Sequence, residues 1–188
     1  MWSAATAIQA TSQLRDEPDM PSPPVWRPAL LEDVPEVTRL SKAHLGPYAE
    51  GDAVFAERIR LAPDGCFVLE RGSAIVGYFF SHPWVRMKPP ALHQMLGQIP
   101  ESADCWYVHD VAVDTDARGG GVVTSVCERA LDVARTKGFR TAMLVAVSGA
   151  GAYWQRLGFK DATTDALRLK LKDYGDDAVY MERVLSID

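Results

Sequence analysis

Residues 105–123 read CWYVHDVAVDTDARGGGVV, an apolar run that passes through an arginine into three consecutive glycines and reopens on two valines. The first nine residues are rich in β-branched and aromatic side chains, lie between Asp104 and Asp114, and predict a strand. From Val122 the apolar residues fall at Val122, Val123, Val126, Cys127, Ala130, Leu131 and Ala134, with charges between them until Gly138, which predicts an amphipathic helix. Between strand and helix, Gly119, Gly120 and Gly121 remove every Cβ from the approach to a helix N-terminus. Its unpaired backbone N–H groups and positive dipole end then form a ready anion site, and a phosphate is the expected partner. A P-loop would place Lys-Ser or Lys-Thr after the last glycine, where this chain has Val122 and Val123, and a dinucleotide fingerprint would spread its glycines over six positions.

Working outward, periodic segments alternate between the two classes. VWRPAL predicts a short strand, and LLEDVPEVTRLSKAHL a helix capped by Asp33 with Val34, Val37, Leu40 and His44 on one stripe. DAVFAERIRLA predicts a second helix, and CFVLER and AIVGYFFSH a hairpin joined by Gly72 and Ser73. Residues 83–104 hold four prolines and no clean period, the pattern of a long loop with one helical turn at most. TAMLVAV predicts a strand covered on both faces, AGAYWQRL a short helix, and ALRLKL and AVYMERVL two closing strands. The expected fold is α/β (α+β), a sheet of about seven strands with helices on both faces.

With 188 residues, 47% hydrophobic and 24% charged, the chain has the balance of one domain, placed at 25–188 behind a loose tail at 1–24. A net charge of −5 argues against nucleic acid or an anionic membrane as partner. No apolar run reaches the ~18 residues of a membrane span, and the start lacks the pattern of a secretion signal, so the expected location is cytoplasmic. Cys66, Cys105 and Cys127 lie far apart in apolar segments and read as buried free thiols; no metal-ligand spacing is present.

VAVDTDARGGGVV and the helix after it resemble the acyl-CoA signature of the GNAT superfamily of N-acyltransferases: an Arg or Gln, two residues, Gly, one residue, then Gly or Ala. Here it reads Arg118, Gly119, Gly120, Gly121, Val122 and Val123, with valine at the last position. LVAVSGAGAYWQRLGFKDA resembles the second hallmark, which ends in Leu157, Gly158 and Phe159, and AVYMERVL resembles the last strand. The resemblance covers roughly residues 25–185 and implies a mixed, mostly antiparallel sheet with a splayed cofactor cleft. It further implies direct transfer of an acetyl group from acetyl-CoA, as co-substrate and without a metal, to a primary amine. The cradle would be Arg118 to Val123, and backbone groups of Val111, Ala112 and Val113 would meet the thioester arm.

For proton transfer, His109 and Asp110 interrupt an otherwise apolar strand, a violation of local pattern of the kind found at functional sites. Strand alternation places His109 with Tyr107, Val111 and Val113 on one face and Asp110 with Trp106, Val108 and Ala112 on the other. His109 is the preferred base; a bulge would favour Asp110, and both could instead tie strands together. The tyrosine common in the second hallmark falls on Trp154, which leaves Tyr153 as candidate acid. His82 reads as a turn histidine before proline, and Glu50, Asp52 and Glu57 as a cation lure or a solvated face. The acceptor is expected to be a small-molecule amine met by a monomer or homodimer. A protein or peptide amine, or an acyl-CoA-binding module without turnover, are the alternatives.

Overall fold

A computed structural model describes residues 22–186, so the tail expected at 1–24 falls almost wholly outside the described residues. The chain begins with β1 (Val25–Pro28), α1 (Val34–Leu45) and α2 (Asp52–Leu61), followed by β2 (Cys66–Arg71), β3 (Ala74–Trp84) and β4 (Cys105–Val113). It continues through α3 (Val122–Thr136), β5 (Thr141–Ala146), α4 (Gly151–Arg156), β6 (Lys160–Asp161), α5 (Asp165–Lys170) and β7 (Val179–Val184). The strands form one sheet in the order β1-β2-β3-β4-β5-β7-β6, antiparallel throughout except between β4 and β5. This is the mixed, mostly antiparallel seven-stranded sheet expected from the sequence. Among the described residues no helix is long and apolar enough to cross a membrane.

Helices cover both faces. Against α3 and α4 lie Phe67, Phe79, Trp106, Val108, Leu144 and Met181. On the opposite face α1 and α2 cover Val68, Tyr78, Phe80 and Ala112, while α5 covers Tyr107, Met143 and Tyr180. β5 alternates Ala142, Leu144 and Ala146 toward one face with Met143 and Val145 toward the other, so both its faces are covered as its unbroken apolar run requires. The three cysteines are free and buried, and burial pushes their thiols up to about 12.

Several expectations are corrected. ALRLKL forms α5, not a strand. Thr164 accepts the Leu167 N–H at 3.3 Å as an N-cap, and Leu167 and Leu171, four apart, are buried while Leu169 between them is 69% exposed. The seventh strand is instead β6, two residues paired with β7. Asp33 precedes α1 but does not cap it; its carboxylate takes the Leu30 N–H at 2.8 Å and both terminal nitrogens of Arg27. β3 runs on past His82, with Pro83 opposite Trp106, so His82 is a fully buried strand residue. The long loop expected before β4 is present over residues 85–104, without a helical turn.

The largest correction concerns β4. Phe80 pairs with Asp110 and Ser81 with Val108, which leaves His109 as the extra residue of a β-bulge. Alternation is broken at that point. Trp106 and Val108 face α3, as do Val111 and Val113 beyond the bulge, whereas Tyr107, His109, Asp110 and Ala112 share the other face. His109 therefore does not share a face with Val111 and Val113; it stands beside Asp110.

Candidate active site

β4 and β5 pair only at Trp106 with Ala142 and Tyr107 with Met143. Beyond these pairs the bulge bends β4 away, and the two parallel strands splay. A cavity of about 450 Å³ fills the gap and passes through the sheet. Val108, Val111, Leu144 and Trp154 line it on the α3–α4 side; Tyr107, Leu92, Val145 and Tyr174 line it on the α5 side. Its mouth carries Arg118 and His44.

The ladder shows which backbone groups look into the gap. The Asp114 N–H reaches Val76 O at 2.8 Å, so Tyr78–Ala112 and Phe80–Asp110 are the hydrogen-bonded pairs of β3 and β4. Val111 and Val113 consequently turn their N–H and C=O groups toward β5, where no strand meets them, and Arg118 Nε donates to Val113 O at 2.8 Å. Ala112 is bound into β3 and packs toward α1.

Past the mouth, Gly119, Gly120 and Gly121 have φ of 98°, 57° and 75°, and a Cβ at any of them would meet open space. Glycine is needed here for the left-handed backbone, not for room within the protein. Val122 and Ser125 return their N–H groups to Gly119 O and Gly121 O. Among the described residues the N–H groups of Gly119, Gly120, Gly121, Val123 and Thr124 have no acceptor. Five free donors at the start of the fifteen-residue α3 fit a pyrophosphate-sized anion. A depression of about 430 Å³ beside them is lined by Trp26, Arg71, Arg118, Gly119, Gly120 and Ser125 among others. Val123 packs onto Leu69, Val76 and Val113, so its branched side chain serves the core and leaves the cradle open.

Inside the cavity, the bulge sets two titratable groups side by side. Asp110 Oδ2 accepts the Tyr78 hydroxyl at 2.8 Å, and Oδ1 accepts from no described side chain. Burial pushes the Asp110 carboxyl up to about 7, against the opposing pull of His109 and Tyr78. His109 Nε2 lies 2.6 Å from Glu50 Oε2, and its Nδ1 is buried without a partner. Burial works to raise the Glu50 carboxyl, but His109 and Arg58 outweigh it and hold Glu50 below its ordinary value. His82 packs beside His109, with ring centres 5.6 Å apart, and burial drives its imidazole well below the ordinary value.

Glu50 and Glu57 are buried at 4% and 8% exposure, which removes the solvated-face reading for both. Glu50 Oε1 takes the His93 N–H at 3.1 Å, and Glu57 takes those of Leu96 and Gly97 at 2.7 and 2.8 Å. Fully buried Arg58 donates to Glu57 and, at 2.9 Å, to Gln94 O. These bonds fix the long 85–104 segment as a wall of the cavity. On the same side stands a chain of phenols: Tyr48 donates to Tyr174 O at 2.8 Å, and the Tyr174 hydroxyl donates to Pro90 O.

The structure thus gathers His109, Asp110, Val111 and Arg118 around one cavity and sets Gly119 to Val122 beside it. Tyr153 is elsewhere. It packs between α4 and α3, bonded to Thr124, and burial raises its phenol; Trp154 lines the cavity in its place. Sequence reading missed Tyr174 as a member of the site, and it marked Glu50 only as a cation lure or a solvated face and Tyr78 only as an aromatic that could stack on the acceptor, not as the partners of His109 and Asp110. Glu50 stands 59 residues from its partner His109, and only a charge inside a strand hinted that a counter-charge existed.

The sequence profile of the GNAT acetyltransferase family matches residues 31–159. No curated protein matches the sequence significantly. Among solved structures, Ard1 from Thermoplasma volcanium is similar at a TM-score of 0.65 and 16% identity, with 87% of this chain and 99% of that one covered. The GphF GNAT-like decarboxylase in complex with isobutyryl-CoA gives 0.69 and 18%, over 86% and 100%. Rv2747 from Mycobacterium tuberculosis, in complex with CoA and NLQ, gives 0.63 and 18%, over 86% and 99%.

Proposed function

The chain belongs to the GNAT acetyltransferase family, an acyl-CoA-dependent family, and from that premise we propose that it is an acetyl-CoA-dependent N-acetyltransferase acting by direct transfer on the primary amine of a small molecule. The observation that carries the reading is the cavity in the splay between β4 and β5, walled by Tyr48, Leu92, Tyr107 and Tyr174, with the phosphate cradle beside it. A peptide acceptor would want an open groove, and the phenol chain ties shut the loops that would frame one. The monomer or homodimer, with no nucleic acid and no membrane as partner, remains part of the same proposal.

Acetyl-CoA supplies the activated thioester. Arg118 and the free N–H groups from Gly119 to Thr124 hold its phosphates, and the backbone of Val111 and Val113, which faces the gap rather than β3, offers bonds to the arm that enters between β4 and β5. Asp110 is the general base. Its carboxyl near 7 is about half ionised at neutral pH and lines the cavity, where it takes the proton that the acceptor ammonium must lose. Tyr78 holds the other oxygen, and Glu50 holds His109 against it so that the imidazole tunes the carboxyl without displacing it. As the amine nitrogen bonds to the carbonyl carbon and the carbon–sulfur bond breaks, the second proton that the nitrogen loses passes through water to the departing thiolate, since Tyr153 packs against Thr124 and is not part of the cavity lining.

The test is thermal unfolding with and without acetyl-CoA, for wild type and Gly120→Glu, followed by thiol release with a panel of amines and peptides. Ligand at ~100 times its dissociation constant adds about 2.7 kcal/mol. A rise in unfolding temperature that the variant loses, with thiol release on small amines, is the expected result. No rise at millimolar acetyl-CoA refutes the proposal.

A further inference from the structure

Ser148 stands in the cavity lining on a strained backbone. β5 ends at Ala146, and residues 147–150 turn the chain into α4, with the Ala150 N–H on Val147 O at 3.0 Å. Both central residues have positive φ, 51° at Ser148 and 74° at Gly149, the pattern of a type I′ turn. Glycine, asparagine and aspartate take that conformation readily, whereas serine in the first central position is strained. The turn is held from outside, since the Gly149 N–H reaches Asp177 Oδ2 at 3.0 Å. A strained residue kept at the wall of a reactive cavity points to a use for its side chain.

The hydroxyls that line the cavity are those of Tyr48, Tyr107, Tyr174 and Ser148. Tyr48 gives its hydrogen to Tyr174 O and Tyr174 gives its own to Pro90 O, while the Tyr107 phenol is bonded to that of Tyr174. Ser148 is exposed, and its hydroxyl has no partner among the described residues. Its neighbours in the lining from β5 and α4 are Leu144, Val145, Val147, Ala150 and Trp154, none of which carries a hydroxyl. The sulfur of the donor gathers negative charge as its bond to carbon breaks, and a donor aimed at it lowers the barrier. Trp154 offers no hydroxyl for this, and Tyr153 packs against Thr124.

We propose that Ser148 is a further catalytic residue, its hydroxyl donating a hydrogen bond to the sulfur as the thiolate forms. This rests on the transferase reading above and adds to it. Ser148 keeps its own proton throughout. The proton that ends on sulfur is the second one lost by the amine, carried by water, so the balance of the transfer is unchanged.

The experiment compares the full-length wild-type chain with Ser148→Ala, which loses the hydroxyl and keeps the strained Cβ, and with Ser148→Gly, which loses both. Single-turnover thiol release from acetyl-CoA is followed with ethanolamine, phenethylamine and spermidine, beside titration calorimetry of acetyl-CoA and thermal melts. Both variants are expected to release thiol about tenfold to a hundredfold more slowly while acetyl-CoA affinity stays within about twofold, because the bond forms only as charge develops on sulfur. Ser148→Gly should melt no lower than wild type, so its lost rate is not lost fold. Wild-type rates in either variant, a loss confined to acetyl-CoA affinity, or a rate that falls only in step with stability overturns the inference and leaves the transferase reading in place. A wild-type chain that releases thiol with none of the three amines overturns both.

Discussion

Replacing Asp110 by asparagine should make the protein more stable and less active, with the stability gain confined to neutral and alkaline pH. The folded carboxyl titrates at about 7 because burial penalises its charge, against about 3.9 in an unfolded chain. A raised acid contributes stability that is fully present below the unfolded value, about pH 4, and is lost as pH rises through the folded value, about 7. A difference of about three units corresponds to about 4 kcal/mol at about pH 8. The cavity-facing oxygen keeps some contact with water, so about half of that, about 2 kcal/mol, is expected. For a chain of this size that is a rise of about 4–8 °C in unfolding temperature. Asparagine keeps the shape and still accepts the Tyr78 hydroxyl, so no bond is lost to confuse the comparison. Circular dichroism melts of both proteins between about pH 4.5 and 8 should diverge as pH rises, while acetyl transfer falls by about a hundredfold or more. Parallel melting curves at every pH, or a variant less stable at the alkaline end, would refute the reasoning that Asp110 is a carboxylate held against its own solvation.

Three further outcomes can be checked. Glu50→Gln should destabilise the protein at neutral pH, because the Glu50 carboxyl lies below its ordinary value and its contribution is present above that value; melts should show the gap closing as acid protonates the wild-type group. Leu171→Ala should cost about 2–5 kcal/mol and Leu169→Ala less than about 0.5, as urea unfolding would show; equal costs would indicate a strand, where residues two apart share a face. Tyr48→Phe removes the bond to Tyr174 O, should cost about 1 kcal/mol, and should improve turnover of longer amines relative to short ones in a competition assay.

What the sequence disclosed is what short-range physics decides. The strand at 105–113, the glycine turn and the helix from Val122 were legible because alternation, positive φ and amphipathic spacing act within a few residues. ALRLKL misled because its leucines alternate, and only the Thr164 cap and the solvation of Leu169 reveal the helix. In the site, His109 and Asp110 could be marked as anomalous, but their environment could not. Glu50 and Tyr174 line the cavity from 59 and 65 residues away in the chain from His109, and Tyr78 holds Asp110 from 32 residues away. The bulge itself left no local trace, since one extra residue in an apolar strand reads like any other. Its effect was to move His109 across the sheet and so reverse the face argument built on strict alternation.

That bulge also bears on how the protein can change. Without His109, Trp106, Val108, Val111 and Val113 would still face α3, and Tyr107, Asp110 and Ala112 the other helices, so the two-sided pattern of β4 is complete with eight residues. The opening through the sheet is therefore written in the length of one strand rather than in the identity of any side chain around it. Walls such as Leu92, Val145 or Tyr174 can be exchanged over generations without closing the passage, and descendants of this chain can drift from one acceptor to another while the machinery that delivers the acyl group stays where it is.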